Sequence, residues 1–363
     1  RWLATTSTNG LTLWPLARRY PVVIEAHDKE VWSLAFAPDG SWLASTSHDG
    51  TVRLWSLDDD SPDEVRVLLD EPGVRLWSFA LSPLGDQALV GTSSGVRLIS
   101  LSGEPPRTLE GHRGSVIPVA FSPDGRLAAG VRSAVGRAYV WDVASGRALE
   151  TPEGEGIRCF DTFVGFTADG RLLTASEAGL RRWDLETGDS ELLAEDAQGC
   201  ITSADGRRLL LGMFTGNRYQ EAAAILDLET GVVTPLDSHG DRIVGMALDP
   251  TGDIVVTASD DGTIRVGPAT GEEPHLLLGH KDVFAPTVDP LGRWIASVVD
   301  RNTICLWPMP DLTKPPLHTL PRGELLAKLR SLTNLRLVRD EEAPTGWKLT
   351  HEPFQGWETV PSW

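Results

Sequence analysis

The feature that most constrains this chain is a short turn that recurs at a nearly fixed interval. The pattern Pro-Asp-Gly, or a close variant of it, occurs seven times, and successive turn glycines are 36 to 46 residues apart. An alternating strand follows each turn, usually with a second turn and another strand, as in SWLASTSHDGTVRLW. A repeat of this length predicts an array of similar small units. The turn glycines are Gly40, Gly85, Gly125, Gly170, Gly206, Gly252 and Gly292.

Each unit holds about four short strands, and an isolated sheet of that size cannot bury its own apolar faces. Neighbouring units packed face to face bury them, and a radial arrangement leaves only short strand edges. Turn pairs such as Asp49-Gly50 supply the positive φ angles that tight hairpins require. The repeat therefore predicts an all-β fold, a closed β-propeller of four-stranded antiparallel blades.

Composition narrows the class of protein further. The hydrophobic fraction of 41% is that of a globular protein, and no apolar run approaches the ~20 residues of a membrane helix. Cys159, Cys200 and Cys305 are widely spaced and form neither a disulfide framework nor a metal pair. The net charge of −18 repels phosphate backbones and anionic lipid. We therefore expect a cytoplasmic protein with no nucleic-acid or membrane partner.

The repeats resemble the WD-repeat β-propeller family over about residues 1–320. Turn aspartates recur at Asp49 and Asp261, and Asp follows the third-strand tryptophan at Asp142 and Asp184. Gly-His pairs precede the first strand of two repeats, at Gly111-His112 and Gly279-His280. The third-strand tryptophans are Trp14, Trp55, Trp141, Trp183 and Trp307.

The resemblance implies a hydrogen-bonded set of His, Asp, Ser or Thr, and Trp inside a blade. Only the repeat at 27–55 carries all four: His27, Asp49 and Trp55 join either Ser45 or Ser47. The two serines share a strand face, so spacing does not choose between them. We expect the indole N–H of Trp55 to find a polar partner in this blade. The resemblance also gives structural roles to His112, Trp141, His280 and Trp307.

The number of blades depends on residues 1–26. His27 to Leu320 makes seven units of about 42 residues, and residues 1–26 add three strands of a blade that lacks its innermost strand. Either upstream residues complete an eighth blade, or those strands belong to a preceding module and seven blades close alone. The count slightly favours eight. A start in mid-blade leads us to expect the end of a longer protein.

Residues 321–363 differ in composition from the repeats. PRGELLAKLRSLTNL places leucines at helical spacing, which predicts a short amphipathic helix over 321–335. Extended segments rich in aromatic residues follow. We expect this tail to pack on the propeller; the alternative is a partner-docking segment. Similar tails close large bacterial proteins whose propeller follows a protein kinase, a protease or a STAND-type ATPase.

The sequence gives little sign of catalysis. Gly91 to Gly95 matches G-x-S-x-G, but that motif acts between a strand and a helix, whereas Ser93 occupies a predicted hairpin turn. Neither a phosphate-binding loop nor an H-E-x-x-H pair is present. The acidic run at Asp58–Asp60 is typical of a solvated loop. We therefore expect no enzyme, no metal site and no cofactor.

The sequence also predicts a surface that binds a partner. The family resemblance implies docking on the face where the first strands begin, and the residue eight positions before each turn glycine should lie there. Trp32, Trp77 and Phe284 are the bulkiest of these residues and would form an apolar patch; alternatively, the tryptophans pack between blades. Other residues predicted at this face are Ile117 in the same set, and His48 and Asp260 before the second turn.

These observations favour a non-catalytic interaction, sensor or scaffold module at the C-terminal end of a multidomain signalling protein, bacterial in origin. Its partner would be a protein or peptide, or an upstream domain of the same chain. The alternative is a small-ligand or enzymatic site in the central channel, which should show polar residues converging from several blades. The inner strands, such as VWSLAF, VIPVAF and IVGMAL, offer little such chemistry.

Overall fold

A computed structural model gives the fold of the chain. By internal contacts the chain forms two compact units, Val23–Leu312 and the combination of Arg1–Val22 with Thr313–Trp363. The structure describes residues 2–7, 10–15, 22–57, 65–111, 114–132, 137–149, 163–176, 179–195, 197–214, 220–236, 239, 241–278, 283–321, 323–324, 336–339 and 347–350.

Three strands precede the first full repeat. β1 (Trp2–Ser7) and β2 (Gly10–Pro15) pair with each other in a two-stranded antiparallel sheet, with Trp2 opposite Pro15. β3 (Val22–Glu25) does not extend that pair. Its partner lies at the other end of the propeller sequence, as described below.

Seven four-stranded sheets make up the propeller within the described residues. The first holds β4 (Val31–Phe36), β5 (Trp42–Ser47), β6 (Thr51–Ser56) and β7 (Val65–Asp70). The second holds β8 (Leu76–Leu81), β9 (Gln87–Thr92), β10 (Gly95–Ser100) and β11 (Arg107–Thr108). The third holds β12 (Val116–Phe121), β13 (Leu127–Arg132), β14 (Arg137–Asp142) and β15 (Ala148–Leu149). The fourth holds β16 (Phe163–Phe166), β17 (Leu172–Ser176), β18 (Gly179–Trp183) and β19 (Ser190–Ala194).

The remaining sheets follow the same plan, in which strands pair antiparallel in chain order. The fifth holds β20 (Ala197–Thr202), β21 (Arg208–Phe214), β22 (Gln220–Asp227) and β23 (Val233–Pro235). The sixth holds β24 (Ile243–Leu248), β25 (Ile254–Ser259), β26 (Thr263–Pro268) and β27 (His275–Leu278). The seventh holds β28 (Phe284–Val288), β29 (Trp294–Val299) and β30 (Thr303–Pro308), and β3 is its outer strand.

The position of β3 corrects the expected blade count. The described part of the chain forms seven blades, and eight blades are not supported, because β3 completes the seventh blade while β1 and β2 pair alone. The described residues that directly follow β30, Met309–Leu312, include Pro310, which has no backbone N–H. They form no strand, and the edge of β30 pairs with β3 instead.

The hydrophobic core lies between neighbouring blades. One cluster joins Val52 of β6 to Phe79 and Val90 of the second blade, and another joins Val256 of β25 to Ile295 of β29. The first strand of each blade contacts the first strand of the next, and β28 of the seventh blade contacts β4 of the first. Each sheet therefore buries its two faces against its neighbours.

The remaining described residues belong to the smaller unit. They include a short 3-10 helix at Leu317–Thr319, and two strands, β31 (Arg336–Arg339) and β32 (Trp347–Thr350), which pair antiparallel. Most of the helix predicted over 321–335 lies outside the described residues, and packing of the tail on the propeller stays a prediction. No helix in the described segments is long and apolar enough to cross a membrane.

Two turn glycines test whether positive φ angles and close packing require glycine in these turns. Gly50 has φ +94°, and a Cβ atom there would overlap the carbonyl oxygen of Glu71. Gly73 has φ +85° with open space around the same position. Gly73→Ala should cost about 1–2 kcal/mol, the price of a left-handed non-glycine residue, whereas Gly50→Ala should cost clearly more. Urea denaturation measures both, and equal losses would contradict the assignment of the Gly50 turn.

Candidate functional site

A buried polar set ties the strands of the first blade together. His27 lies between two partners: Nδ1 is 2.9 Å from Asp49 Oδ2, and Nε2 is 2.7 Å from Ser45 Oγ. The indole N–H of Trp55 donates to Ser45 Oγ at 2.9 Å. Ser47 instead donates to the carbonyl of Lys29 at 3.2 Å. The geometry thus places Ser45, not Ser47, between the histidine and the tryptophan.

The direction of these hydrogen bonds follows from the carboxylate. The Asp49 carboxylate accepts a hydrogen bond from Nδ1–H of His27, which leaves the Nε2 atom of the ring available to accept from the Ser45 hydroxyl. Burial alone would raise the pKa of Asp49, but hydrogen bonds from His27 and Thr51 outweigh it and hold that pKa well below its usual range. The set is a structural device that fixes the blade, because all its polar atoms are used within it.

The sixth blade repeats most of this set, which sequence reasoning missed. His239 Nε2 is 2.8 Å from Thr257 Oγ1, and Nδ1 is 3.1 Å from Asp261 Oδ2. Gly267 takes the strand position that Trp55 has in the first blade, and a pocket lined by Thr257, Gly267 and Pro274 lies beside it. The Gly-His pattern does not include this histidine, because Ser238 precedes it and the glycine follows it.

Tryptophans of three other blades also find acceptors. His112 and His280 lie outside the described residues, so their predicted roles stay predictions. The indole donors and their acceptors are Trp141 with the Glu110 carbonyl at 2.7 Å, Trp183 with Thr174 Oγ1 at 2.8 Å, and Trp307 with Ser297 Oγ at 2.9 Å.

Three residues predicted for the partner face lie together between the first and second blades. Trp32 on β4 donates its indole N–H to His48 Nδ1 at 3.2 Å, and the two rings stack with centroids 4.9 Å apart. Trp77 on β8 packs edgewise against both, at 5.0 Å from Trp32 and 4.3 Å from His48. We call Trp32, His48 and Trp77 the aromatic cluster. Trp32 nevertheless remains 42% exposed.

Charged residues border the aromatic cluster. Glu30 Oε2 is 3.3 Å from His48 Nδ1, and Glu30 Oε1 is 3.8 Å from the Arg301 guanidinium on the β29–β30 turn. Burial lowers the pKa of His48 despite the opposing influence of Glu30. An indole N–H can only donate, so His48 Nδ1 accepts from Trp32, and the Glu30 carboxylate then contacts the same nitrogen without a hydrogen bond from it. Among the described residues, His48 Nε2 and Trp77 Nε1 are buried without a hydrogen-bond partner.

The other predicted partner residues are not brought into the aromatic cluster. Phe284 is half-buried on β28, and the described residues show no ring contact between it and the cluster. Ile117 is half-buried on β12. Asp260 is exposed in the turn after β25, where its N–H donates to the Arg242 carbonyl at 2.9 Å. The equivalent bond in the first blade joins His48 N–H to the Glu30 carbonyl at 3.0 Å.

The chemistry expected of a catalytic site does not assemble at the G-x-S-x-G motif. Ser93 lies in the turn between antiparallel strands β9 and β10, and its hydroxyl accepts from the backbone N–H of Arg75. Within the described ranges, no three His, Cys, Asp or Glu side chains are grouped as metal ligands. Burial raises the pKa of the Cys200 thiol. The Asp58–Asp60 run lies outside the described residues.

Comparison with known proteins finds WD repeats in three segments of the chain. The model described as "WD domain, G-beta repeat" matches residues 19–56, 103–142 and 231–266. Echinoderm microtubule-associated protein-like 2 of Rattus norvegicus is 26% identical over 269 residues, 72% of this chain and 38% of the relative. Nuclear distribution protein PAC1 of Arthroderma benhamiae is 26% identical over 309 residues, covering 78% and 60%. WD repeat-containing protein SL1-17 of Schistosoma mansoni is 32% identical over 164 residues, covering 43% and 52%.

The chain therefore carries WD repeats in the three matched segments, its relatives are WD-repeat proteins, and its described residues have the fold of a seven-bladed β-propeller. It spans 38% to 60% of the length of these three relatives. The first matched segment starts before an outer strand, β3, and continues through three strands of the next blade. The sequence repeat is thus offset from the sheet by one strand, which accounts for the pairing of β3 with the seventh blade.

The polar set predicts unequal effects for two adjacent residues. Ser45→Ala leaves the Trp55 N–H and His27 Nε2 buried without their partner, so it should destabilise the protein by about 1–3 kcal/mol. Thr46 is equally buried, but its hydroxyl has no partner, so Thr46→Val should be neutral or stabilising. Chemical denaturation at pH 7 compares them. Equal losses would contradict the hydrogen bonds assigned to Ser45.

The depressed pKa of Asp49 predicts a pH dependence. A carboxyl group with a lowered folded-state pKa stabilises the fold above its unfolded pKa of about 3.9 and loses that contribution as pH falls through the folded value. The stability difference between wild type and Asp49→Asn should therefore be full at pH 7 and shrink as pH falls below about 4. Urea denaturation from pH 7 to pH 2 measures it. A constant difference would contradict the proposed bond to His27.

Proposed function

We propose that this propeller is a non-catalytic interaction or scaffold module that binds a protein or peptide through the face bearing the aromatic cluster. The observation that carries the proposal is the exposure of Trp32. Its indole is fixed by stacking and a hydrogen bond to His48, yet 42% of the residue remains open to solvent. An aromatic side chain already held in place loses little conformational freedom when a partner covers it.

The position of the cluster supports a partner surface. It lies at the start of β4 and β8 and at the β5–β6 turn, where two blades meet. Tryptophan is enriched among the residues that contribute most to protein interfaces. WD-repeat relatives also support a protein partner, whereas the identity of that partner is left to experiment.

The proposal extends to the closure of the propeller and to its setting in a larger protein. We propose that the seven blades close into a ring, in line with the contact of β28 with β4 and the bond from Val31 N–H to the Arg301 carbonyl at 2.7 Å. We also propose a cytoplasmic module of a larger bacterial signalling protein, whose partner is another protein or an upstream domain. The greater length of the relatives supports a multidomain context.

Selection of peptides from a random phage-displayed library on the immobilised propeller tests the proposed function. Selected peptides should bind Trp32→Ala at least about 30-fold more weakly, because truncating an interface hot spot costs about 2 kcal/mol or more. The Trp32→Ala variant should keep its melting temperature to within a few degrees, since the side chain is half exposed.

Leu84→Ala is the matched control. Leu84 lies in the β8–β9 turn and is 84% exposed. This turn is at one end of β9, and the β9–β10 turn, which corresponds to the His48 turn of the first blade, is at the other end. Its loss should leave peptide affinity unchanged. Peptides that bind Trp32→Ala normally, or that require Leu84, would overturn the proposed face.

A further inference from the structure

The aromatic cluster carries one carboxylate at a position suited to a ligand. Glu30 Oε2 and Trp32 Nε1 lie within 3.3 Å of the same atom, His48 Nδ1. The carboxylate and the indole are thus close enough to contact one small group together. No other charged side chain has a hydrogen bond or ion pair to a ring of the cluster in the described part of the chain.

We propose that Glu30 and the exposed indole of Trp32 together bind a cationic side chain, arginine or lysine, of the partner. This inference rests on the proposed function, since it assigns the chemistry that the same face recognises. A cation is attracted to the face of an indole ring, tryptophan being the strongest aromatic partner. A carboxylate beside that ring adds a charged acceptor for the cation's N–H groups.

The indole has surface to offer such a group. His48 stacks on one face of Trp32 with an interplanar angle of 29°. Trp77 meets the same ring edgewise, and 42% of Trp32 stays exposed beside these two contacts. Because the indole N–H is bonded to His48, the ring keeps its orientation before a ligand arrives.

The carboxylate is also open to a ligand. The Glu30 side chain is 40% exposed, and the nearest guanidinium, that of Arg301, is 3.8 Å away on a side chain that is 73% exposed. This loose ion pair shows that Glu30 faces a cation from the solvent side. An exposed pair of this kind contributes little free energy, so a cation of the partner can replace Arg301 at small cost.

Local and overall charge bear on the choice of ligand. Lys29 and Arg75 lie near His48 and influence its protonation, but neither has a hydrogen bond to the cluster among the described residues. The whole chain carries a net charge of −18, which attracts a basic segment over a longer range. Because Glu30 contacts the cluster directly, we expect the ligand to be a cation. Binding of an acidic peptide is the alternative result that the test can give.

NMR titration with blocked pentapeptides tests the inference. The probes are acetyl-Gly-Gly-X-Gly-Gly-amide with X as arginine, its neutral isostere citrulline, or aspartate. The Trp32 indole N–H signal, assigned by its loss in Trp32→Phe, should shift with the arginine peptide. Citrulline and aspartate peptides should leave it in place at the same concentrations.

Two variants separate the carboxylate from a general effect of charge. Glu30→Gln should weaken the arginine peptide about 3- to 5-fold, within the range measured for exposed charge pairs. Glu186→Gln removes an exposed carboxylate from the β18–β19 turn and should change nothing. Thermal unfolding of both variants should match wild type, which excludes a folding defect as the cause.

The outcomes distinguish the inference from the proposed function. If phage-selected peptides require Trp32 but the citrulline or aspartate peptide binds as well as arginine, the cation assignment is wrong and the interaction face stands. An arginine response that Glu30→Gln leaves unchanged also overturns the role of the carboxylate. If no peptide in either experiment depends on Trp32, both proposals fail.

Discussion

The packing of one sheet against the next is the constraint on which the rest of this structure depends. A four-stranded sheet has two apolar faces, and in the described segments no helix covers them, so the blades bury these faces against one another. Trp141 is fully buried in such an interface, together with Leu89 of the second blade and Val116 of the third. The aromatic cluster is a product of the same packing, since Trp32 and Trp77 come from adjacent blades.

The seventh blade shows how this packing sustains local strain. Its β29–β30 turn has positive φ angles of 48° and 70° at Asp300 and Arg301, whereas the β5–β6 turn of the first blade has its positive φ angle at Gly50. A left-handed non-glycine residue costs about 1–2 kcal/mol. The Arg301 and Asn302 carbonyls accept from Val31 and Ala26 N–H at 2.7 and 3.2 Å, so bonds to the first blade offset the strain. The same turn places Arg301 beside Glu30.

Patterns of adjacent residues predicted the repeat and the sheets of this protein, but not the pairing of strands far apart in the chain. The Pro-Asp-Gly turns revealed the repeat and the four-stranded sheets, because turn chemistry is a property of adjacent residues. The pairing of β3 with β30 joins strands from opposite ends of the propeller, and no local signal encodes it. His239 was within reach of the sequence, since it precedes Asp261 by 22 residues, as His27 precedes Asp49. Spacing would have found it where the Gly-His motif did not.

The two interpretations of the tryptophans, packing between blades and binding a partner, are compatible. Trp77 is the more buried ring, and Trp32 rests on it while keeping its own surface exposed. Trp77 packs edgewise against Trp32, and His48 stacks on it, so the interface between the blades holds the Trp32 ring in place. A ring held in this way loses little conformational freedom when a partner covers its exposed surface. Packing between the blades is therefore the condition under which Trp32 can serve the proposed partner surface.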